Sequence, residues 1–590
     1  MPISSRPRLF FFLFLHLALS FSSPPEDPIR CSHGHSNCTI TNSYGVFPDR
    51  TLCQASKALF PTTEEELVAM VASATKNKSK MKVATRSCHS LPKLICPEGE
   101  DGLVISTKYL NRIVRIDVEA RTMTVESGVT LKQLIHEAAM VGLALPHAPY
   151  WWGITIGGLL ATGCHGSSLW GKGSAVHEYV VEVGIVSPAG PEDGYVKVRW
   201  LKDTDQDLNA AKVSLGVLGV ISKVTLKLEP LFKRSITYTI KEDSDLGDQL
   251  LSFGQEHEFA DITWQPAQHR AVYRIDDRVS INASGNGLYD YIPLRSTSSA
   301  ILEAARTSEE IQESTGDADG KCSDAKLVTE ALASRAYGLT NNGTTFTGYP
   351  VIGYNHRLQS AGSCIDDSED SVCFWDTRVK GTFFHSTAIS IPLSTVKNFI
   401  EDVKKLVELE PKAFCTLELN NGILMRYVKG SSAYLGKPED SVDFDIIYYR
   451  SRDPMIPRLH GDILEEIEQI ALFKYGGLPH WGKNRNLAFE GAIKKHKDAE
   501  KFLKVKMEYD SSGLFSNDWT DRVLGLKEGV MIEKEGCALD GLCVCSEDSH
   551  CAPSKGYFCR EGRVYKEARV CTLVEVVETE EGGSDLKEEL

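Results

Sequence analysis

The stretch that most constrains this chain is residues 153–167, where Gly153, Gly157, Gly158, Gly163 and Gly166 fall among Thr155, Thr162 and Ser167. Five glycines at such density describe a backbone that must come close to something or turn in a way other residues resist. Successive N–H groups in turns of this kind form a concave anion site suited to a pyrophosphate. The spacing is neither that of a P-loop, which needs its lysine, nor that of G-x-G-x-x-G. From the residues alone, a ligand cradle and a glycine-rich turn between packed strands both remain open.

The rest of the chain sets the context. Its 590 residues exceed what one hydrophobic core usually serves, so two main domains and a small appendage are expected. A formal net charge of −15 argues against a nucleic-acid surface. Arg6 and Arg8 precede an apolar run over 9–21, the length of a signal-peptide core and too short to span a bilayer; small residues near Ser23 suit cleavage. No later run is long enough to cross a membrane. Six of the 16 cysteines lie between Cys537 and Cys571, a density that suits disulfides in an oxidising compartment. Zinc is the rival reading, but Cys543 and Cys545 stand too close for the usual two-residue gap, so no metal site is expected. Sequons at Asn37, Asn77, Asn282 and Asn342 would be glycosylated in that compartment. The last four residues, Lys587 to Leu590, read either as an acidic tail or as a degenerate endoplasmic-reticulum retrieval signal. The expected location is the secretory pathway, ending in the extracellular space or cell wall.

Local patterns predict α+β structure. Thr62 and Glu65 are spaced as a capping box before a helix through Met70. Residues 81–85 and 103–106 read as short strands, and 113–117 with 122–126 as a hairpin. Thr130 caps a helix that Gly142 ends. Residues 179–186 and 220–228 are β-rich. In a second region, 381–391 and 444–449 read as strands, 394–409 and 459–475 as helices, and the polar, acidic interval 297–324 as a surface excursion.

Thr155-Ile156-Gly157-Gly158-Leu159-Leu160-Ala161-Thr162-Gly163-Cys164-His165-Gly166-Ser167 resembles the T-x-G-G-x-x-A-T-G-x-H-G-S signature of FAD-binding domains in the vanillyl-alcohol oxidase, or PCMH-type, superfamily. Residues 125–129 and 213–228 continue the likeness, with 214–221 similar to the family's closing loop and strand. The resemblance implies a two-subdomain FAD-binding domain over 44–232. It also implies an α+β cap, or substrate, domain over 233–525 whose end returns to the flavin. A signal peptide at 1–23, a cysteine-rich tail at 530–575 and an acidic tail at 576–590 complete the expected organisation. Arg86-Ser87-Cys88-His89-Ser90 is similar to the family's G-x-G-H-S loop, whose histidine can bond covalently to the flavin. Arg86 and Cys88 stand where glycines are usual, and Cys88 is a candidate disulfide partner of Cys96. The implied FAD contacts are Arg86, Ser87, His89 (as the covalent attachment), Ser90, Gly157, Gly158, Thr162, Gly163, His165, Gly166, Ser167, Gly219, Val220 and Ile221.

Two further segments narrow the branch. Pro479-His480-Trp481-Gly482-Lys483 resembles the P-H-W-G-K motif of aldonolactone and alditol oxidases, and 509–517 looks like their closing segment, with Ser511 in place of a proline. Leu424-Met425-Arg426 lines up with a Glu-x-Arg pair that binds and deprotonates substrate. Here leucine replaces the glutamate, so another group must take the proton, with Glu418 and Asp445 as candidates. The tail and 431–445 resemble plant gulonolactone oxidase-like proteins. The implied catalytic residues are Arg426, His480 and Lys483. The implied partners are a sugar lactone and molecular oxygen or another electron acceptor, and the implied reaction leads from L-gulono-1,4-lactone to the precursor of L-ascorbate. Other readings are a carbohydrate or polyol oxidase of the same fold, or a lactone-binding glycoprotein with a decayed flavin site.

Overall fold

In this computed structural model, residues 27–41, 53–85, 91–359, 364, 371–376, 379–574, 576–577 and 585–586 are described. The proposed signal peptide, the 86–90 loop and the last four residues lie outside them.

The N-terminal half is built from two five-stranded sheets. In the first, the hairpin Ile29–His33/Ser36–Ile40 joins Cys53–Leu59, which runs parallel to Leu103–Ser106 and, beyond it, Met81–Ala84. The crossover helix Glu64–Lys76 buries Leu67, Val71 and Ala74 at helical spacing. Its cap is shifted by one residue from the expected box: Thr63 accepts from the Glu66 N–H, and the Glu66 carboxylate reaches back to Thr62. The second sheet is antiparallel, in the order Val196–Lys202, Val180–Pro188, Val220–Lys227, Thr122–Glu126, Ile113–Asp117. Thr130 caps helix Leu131–Met140, and Gly142 follows it at φ +77°.

From Lys233 the chain builds an eight-stranded antiparallel sheet that governs the site. Its central strands run Arg270–Val279, Asp261–Gln265, Ile423–Val428, Ser441–Arg450 and Phe383–Pro392. Strand side chains alternate between faces. One set, including Ile262, Trp264, Ile423, Met425, Tyr427, Val442, Phe444 and Ile446, packs into a core with helices Leu246–Glu256, Val396–Leu409 and Gly461–Gln469. The alternate set contains Asp261, Thr263, Leu424, Arg426, Asp443 and Asp445, and faces the N-terminal half. The sheet therefore has one oily face and one charged face.

The interval 297–324 is not a loose excursion. It forms most of a helical hairpin, Ser299–Thr315 and Ala318–Ser334, tied down by the Cys322–Cys415 disulfide. Polar residues hide it from an apolar-periodicity reading because its buried face mixes Leu302, Ala325 and Leu332 with charged side chains. Arg306 donates to the carbonyls of Asp376, Val379 and Phe374, while Lys321 pairs with Glu309 at 3.0 Å and with Glu313. The helix expected over 459–475 is α-helical only through Gln469 and continues as a π-turn, Ile470–Lys474.

The tail closes as three disulfides, Cys537–Cys543, Cys545–Cys559 and Cys551–Cys571. It docks through buried Glu466, which accepts N–H groups from Arg563, Val564 and Tyr565, each at 2.7 Å. Cys96, just after the short helix Pro92–Ile95, pairs with Cys53 at the start of its strand, and not with Cys88. No helix among the described residues is long and apolar enough to cross a membrane.

Candidate functional site

A cavity of about 520 Å³ opens between the glycine segment and the charged face of the large sheet. Its first wall is mostly backbone. Gly157 donates its N–H to Ser127 O and Ile156 to Val129 O, which lays the segment along the second sheet. An added Cβ separates the glycines by purpose. At Gly157 it would press Ser127 Cβ at 3.0 Å, and at Gly219, with φ +125°, it would run into the Val186 carbonyl, so both serve packing as well as the wall. At Gly158 it would meet only Thr155 and Thr85 hydroxyls at 3.4 Å, ordinary contact, and φ is not positive. Nothing in the protein demands glycine at 158. Its absent side chain keeps the cavity open.

Of the implied cofactor contacts, Gly157, Gly158, Thr162, His165, Gly219 and Ile221 line the cavity. Gly163, Gly166, Ser167 and Val220 do not. Gly163 turns at φ +67° against Val213, and Gly166 packs so tightly that a Cβ would lie 2.6 Å from Ala148 O. Ser167 is buried, donating to Ala260 O and accepting from Tyr427 N at 2.9 Å, so it stitches this wall to the large sheet. Val220 is fully buried in the core beneath. Arg86, Ser87, His89 and Ser90 lie outside the described residues.

The second wall is charged. Arg426 lies 2.5 Å from Asp445 and 2.9 Å from Asp443, and donates to His165 O at 2.9 Å. Lys483 reaches the other oxygen of Asp445 at 2.5 Å. Behind them, Asp443 also accepts from Ser390 at 2.7 Å. Burial alone would push the Asp445 carboxyl up, but Arg426 and then Lys483 hold it below the usual carboxylate range. Arg426, though buried, is held firmly charged by Asp445 and Asp443. His480 has its ring 5.7 Å from that of His165, and its Nδ1 accepts from Gly482 N at 3.1 Å. Burial, with Lys483 and His165 adding to it, keeps His480 neutral far below the ordinary imidazole range. Burial and the Arg426 charge take His165 down to about 4.

Leu424 stands opposite Asp445 in the strand register, and both line the cavity. Glu418, the other candidate base, does not. It is fully buried, accepts from the N–H groups of Ala267 and Gln268, and burial raises it to about 6.

Sequence reasoning missed Tyr150, which lines the cavity with its hydroxyl donating to Asp261 and accepting from Arg274 at 2.6 Å. Arg426 stands 6.0 Å from the same ring. The aromatic run 150–152 just ahead of the glycine segment was its one local signal. The alternating Asp443-Phe444-Asp445 in a strand, two carboxylates on one face, was the signal for the charged pair.

A family model described as FAD binding domain matches residues 55–191, one described as D-arabinono-1,4-lactone oxidase matches 356–523, and one described as L-gulonolactone oxidase 2-like, C-terminal domain, matches 534–573. A probable L-gulonolactone oxidase 6 of Arabidopsis thaliana is 62% identical over 94% of this chain and 92% of its own length. L-gulonolactone oxidase 5 of the same plant is 60% identical over 95% and 96%. The mouse L-gulonolactone oxidase is 25% identical over 83% and 99%. Among solved structures, a cholesterol oxidase from Brevibacterium sterolicum superposes with a TM-score of 0.62 at 14% identity, covering 86% of this chain and all of the other. Phl p 4.0202, a glucose dehydrogenase, gives 0.52 at 15%, covering 81% and 92%. These two likenesses speak to the fold alone.

The chain binds FAD, and the first wall fits that group. The hydroxyls of Thr107 and Ser127 are buried on the cavity wall without a hydrogen-bond partner among the described residues, and Gly158 lines the same cavity without a side chain. Polar hydroxyls and open backbone suit a dinucleotide better than an apolar guest.

Proposed function

Because this chain belongs to the L-gulonolactone oxidase family, FAD-dependent oxidoreductases that act on aldonolactones, we propose that its substrate is L-gulono-1,4-lactone or a close relative. The product is the keto-lactone that isomerises to L-ascorbate, and oxygen takes the electrons to give hydrogen peroxide. The observation that carries this reading is the Arg426–Asp445–Lys483 cluster, set on the wall opposite Gly158 in one cavity.

Bound FAD supplies the hydride acceptor. The protein supplies orientation and electrostatics. Arg426 and Lys483 present N–H donors to the oxygen of the reacting secondary alcohol, where negative charge develops. Fixed donors of this kind are each worth about 2.7–4 kcal/mol of barrier. Because Asp443 and Asp445 neutralise them in the resting site, the donors are already aimed and need not reorganise. His480, neutral and held by Gly482, offers a hydrogen bond without adding a third charge. His89, Arg86, Ser87 and Ser90 remain the proposed attachment loop.

Export is part of the proposal. Seven disulfides among the described residues and four exposed sequon asparagines support passage through an oxidising, glycosylating compartment. The destination is the extracellular space or cell wall, with retrieval to the endoplasmic reticulum as the variant that residues 587–590 would bring. Purified protein given L-gulono-1,4-lactone or L-galactono-1,4-lactone should consume oxygen and form peroxide in equal amounts. Turnover of polyols or oligosaccharides with none on either lactone would overturn the substrate. Electron flow to a dye but not to oxygen would overturn the acceptor.

A further inference from the structure

We propose that Asp445 is the catalytic base, taking the proton of the substrate hydroxyl as the carbon–hydrogen bond is broken. The inference rests on reading the cavity as the lactone site.

Among the described residues, Asp445 is the one carboxylate on the cavity wall. The neighbouring acids are committed elsewhere. Asp443 sits behind the wall between Ser390 and Arg426, and Asp261 is held by Tyr150 and Arg274. The cavity's histidines are poor proton acceptors, since an imidazolium at His480 or His165 would be buried beside Lys483, Arg426 and Lys437. Asp445 is placed differently. One oxygen accepts from Lys483 and the other faces Arg426, and each keeps a second lone pair. A hydroxyl that receives N–H groups from Arg426 and Lys483 therefore lies beside the carboxylate those groups already touch. The O–H proton passes to Asp445 as the hydrogen on carbon leaves with its electron pair, as hydride, for the acceptor that FAD would supply, and the carbonyl forms. Asp445 then returns its proton to solvent, so two electrons, one hydride and one proton are accounted for.

The charged groups facing Asp445 are Arg426 on the adjacent strand, Lys483 on the following loop and Asp443 on its own strand. The two cations hold it ionised through the neutral range, so the acid limb of the reaction falls below the usual carboxylate range.

The test is Asp445→Asn, read by the rate at which lactone bleaches the flavin in a single anaerobic turnover, together with flavin content, lactone dissociation constant and melting temperature. Loss of a general base predicts a rate at least about a hundredfold lower, with flavin retained. The residual rate should climb with pH, because hydroxide must now take the proton. Leu424 faces Asp445 across the strand register, so adding Leu424→Glu to the Asp445→Asn protein should restore at least about tenfold of the loss. A merely structural aspartate would give neither the altered pH profile nor the cross-strand rescue. An Asp445→Asn protein with the wild-type bleaching rate, or one altered only in lactone affinity, overturns the base assignment. A wild-type protein that holds FAD yet bleaches with no aldonolactone overturns the substrate reading instead.

Discussion

The two walls of the cavity are held by opposite means. The wall around Gly158 is backbone laid along a sheet, with glycines where side chains would fill the space and hydroxyls left unpaired. The wall around Arg426 is a set of buried charges that neutralise one another across strands: Arg274 against Asp261, and Arg426 against Asp443 and Asp445, with Lys483 added from a loop. A backbone wall fixes shape and tolerates changes that keep it open. A charged wall fixes function, and removing its buried centre, Arg426, is costly because Asp443 and Asp445 are left buried without their shared cation. Damage to the first should empty the site of cofactor, whereas damage to the second should leave a coloured protein that does not turn over.

Arg426→Ala strikes the charged wall hardest. It leaves Asp443 and Asp445 without their shared cation, so we expect about 3–5 kcal/mol less stability as well as loss of activity. Denaturant unfolding followed by tryptophan fluorescence measures the first and lactone kinetics the second. Wild-type stability would mean that the carboxylates are not buried together. Lys483→Ala removes a half-buried donor and leaves Asp445 still paired with Arg426. Its kcat should fall by about a hundred- to thousandfold, with flavin content and melting temperature close to wild type.

Gly158→Val tests the other wall. The protein's own atoms leave room for a Cβ there, so the variant should fold with little or no flavin. Gly219→Ala, which runs into the Val186 carbonyl, should lose stability as well. Full flavin content in Gly158→Val would remove the glycine segment from the cofactor site.

Acidification gives the smallest and most graded contrast. His165, at about 4, and His496, which burial takes down to about 3, are neutral in the folded protein but titrate near 6.5 when unfolded. Their folded values are depressed, so their stability is fully present above pH 6.5 and is lost as pH falls toward 4, by up to about 1.4 kcal/mol per pH unit for each group. Melting temperature measured across that range should slope downward. A flat profile would mean that these rings are solvated.

Legibility followed sequence distance. The hairpin Ile113–Asp117/Thr122–Glu126 and the Thr130 cap were readable because every interacting residue lies within a few positions. The glycine segment was readable as a ligand candidate, yet which glycines face the cavity was not. Gly158 and Gly166 look alike in a sequence and differ only in whether a carbonyl from elsewhere stands in front of them. Arg426 and Lys483 came from resemblance. Tyr150, Asp261 and Arg274 were hidden because their contacts join residues 111 and 124 positions apart, which no local pattern encodes. The helical hairpin after Ser298 was misread because its buried face interrupts Leu302, Ala325 and Leu332 with Arg306, Glu309 and Lys321, which breaks the apolar stripe.

The central claim is that one cavity holds FAD against a charge cluster that oxidises a lactone. Mixing the purified protein with excess L-gulono-1,4-lactone in the absence of oxygen, and following the flavin's visible absorption, tests it most directly. The band should bleach within the mixing series, admitted oxygen should restore it, and Lys483→Ala should bleach at least about a hundredfold more slowly, as expected for loss of one positioned donor. A flavin band that stays unchanged in the wild-type protein with every aldonolactone offered, or that bleaches equally fast without Lys483, would contradict it.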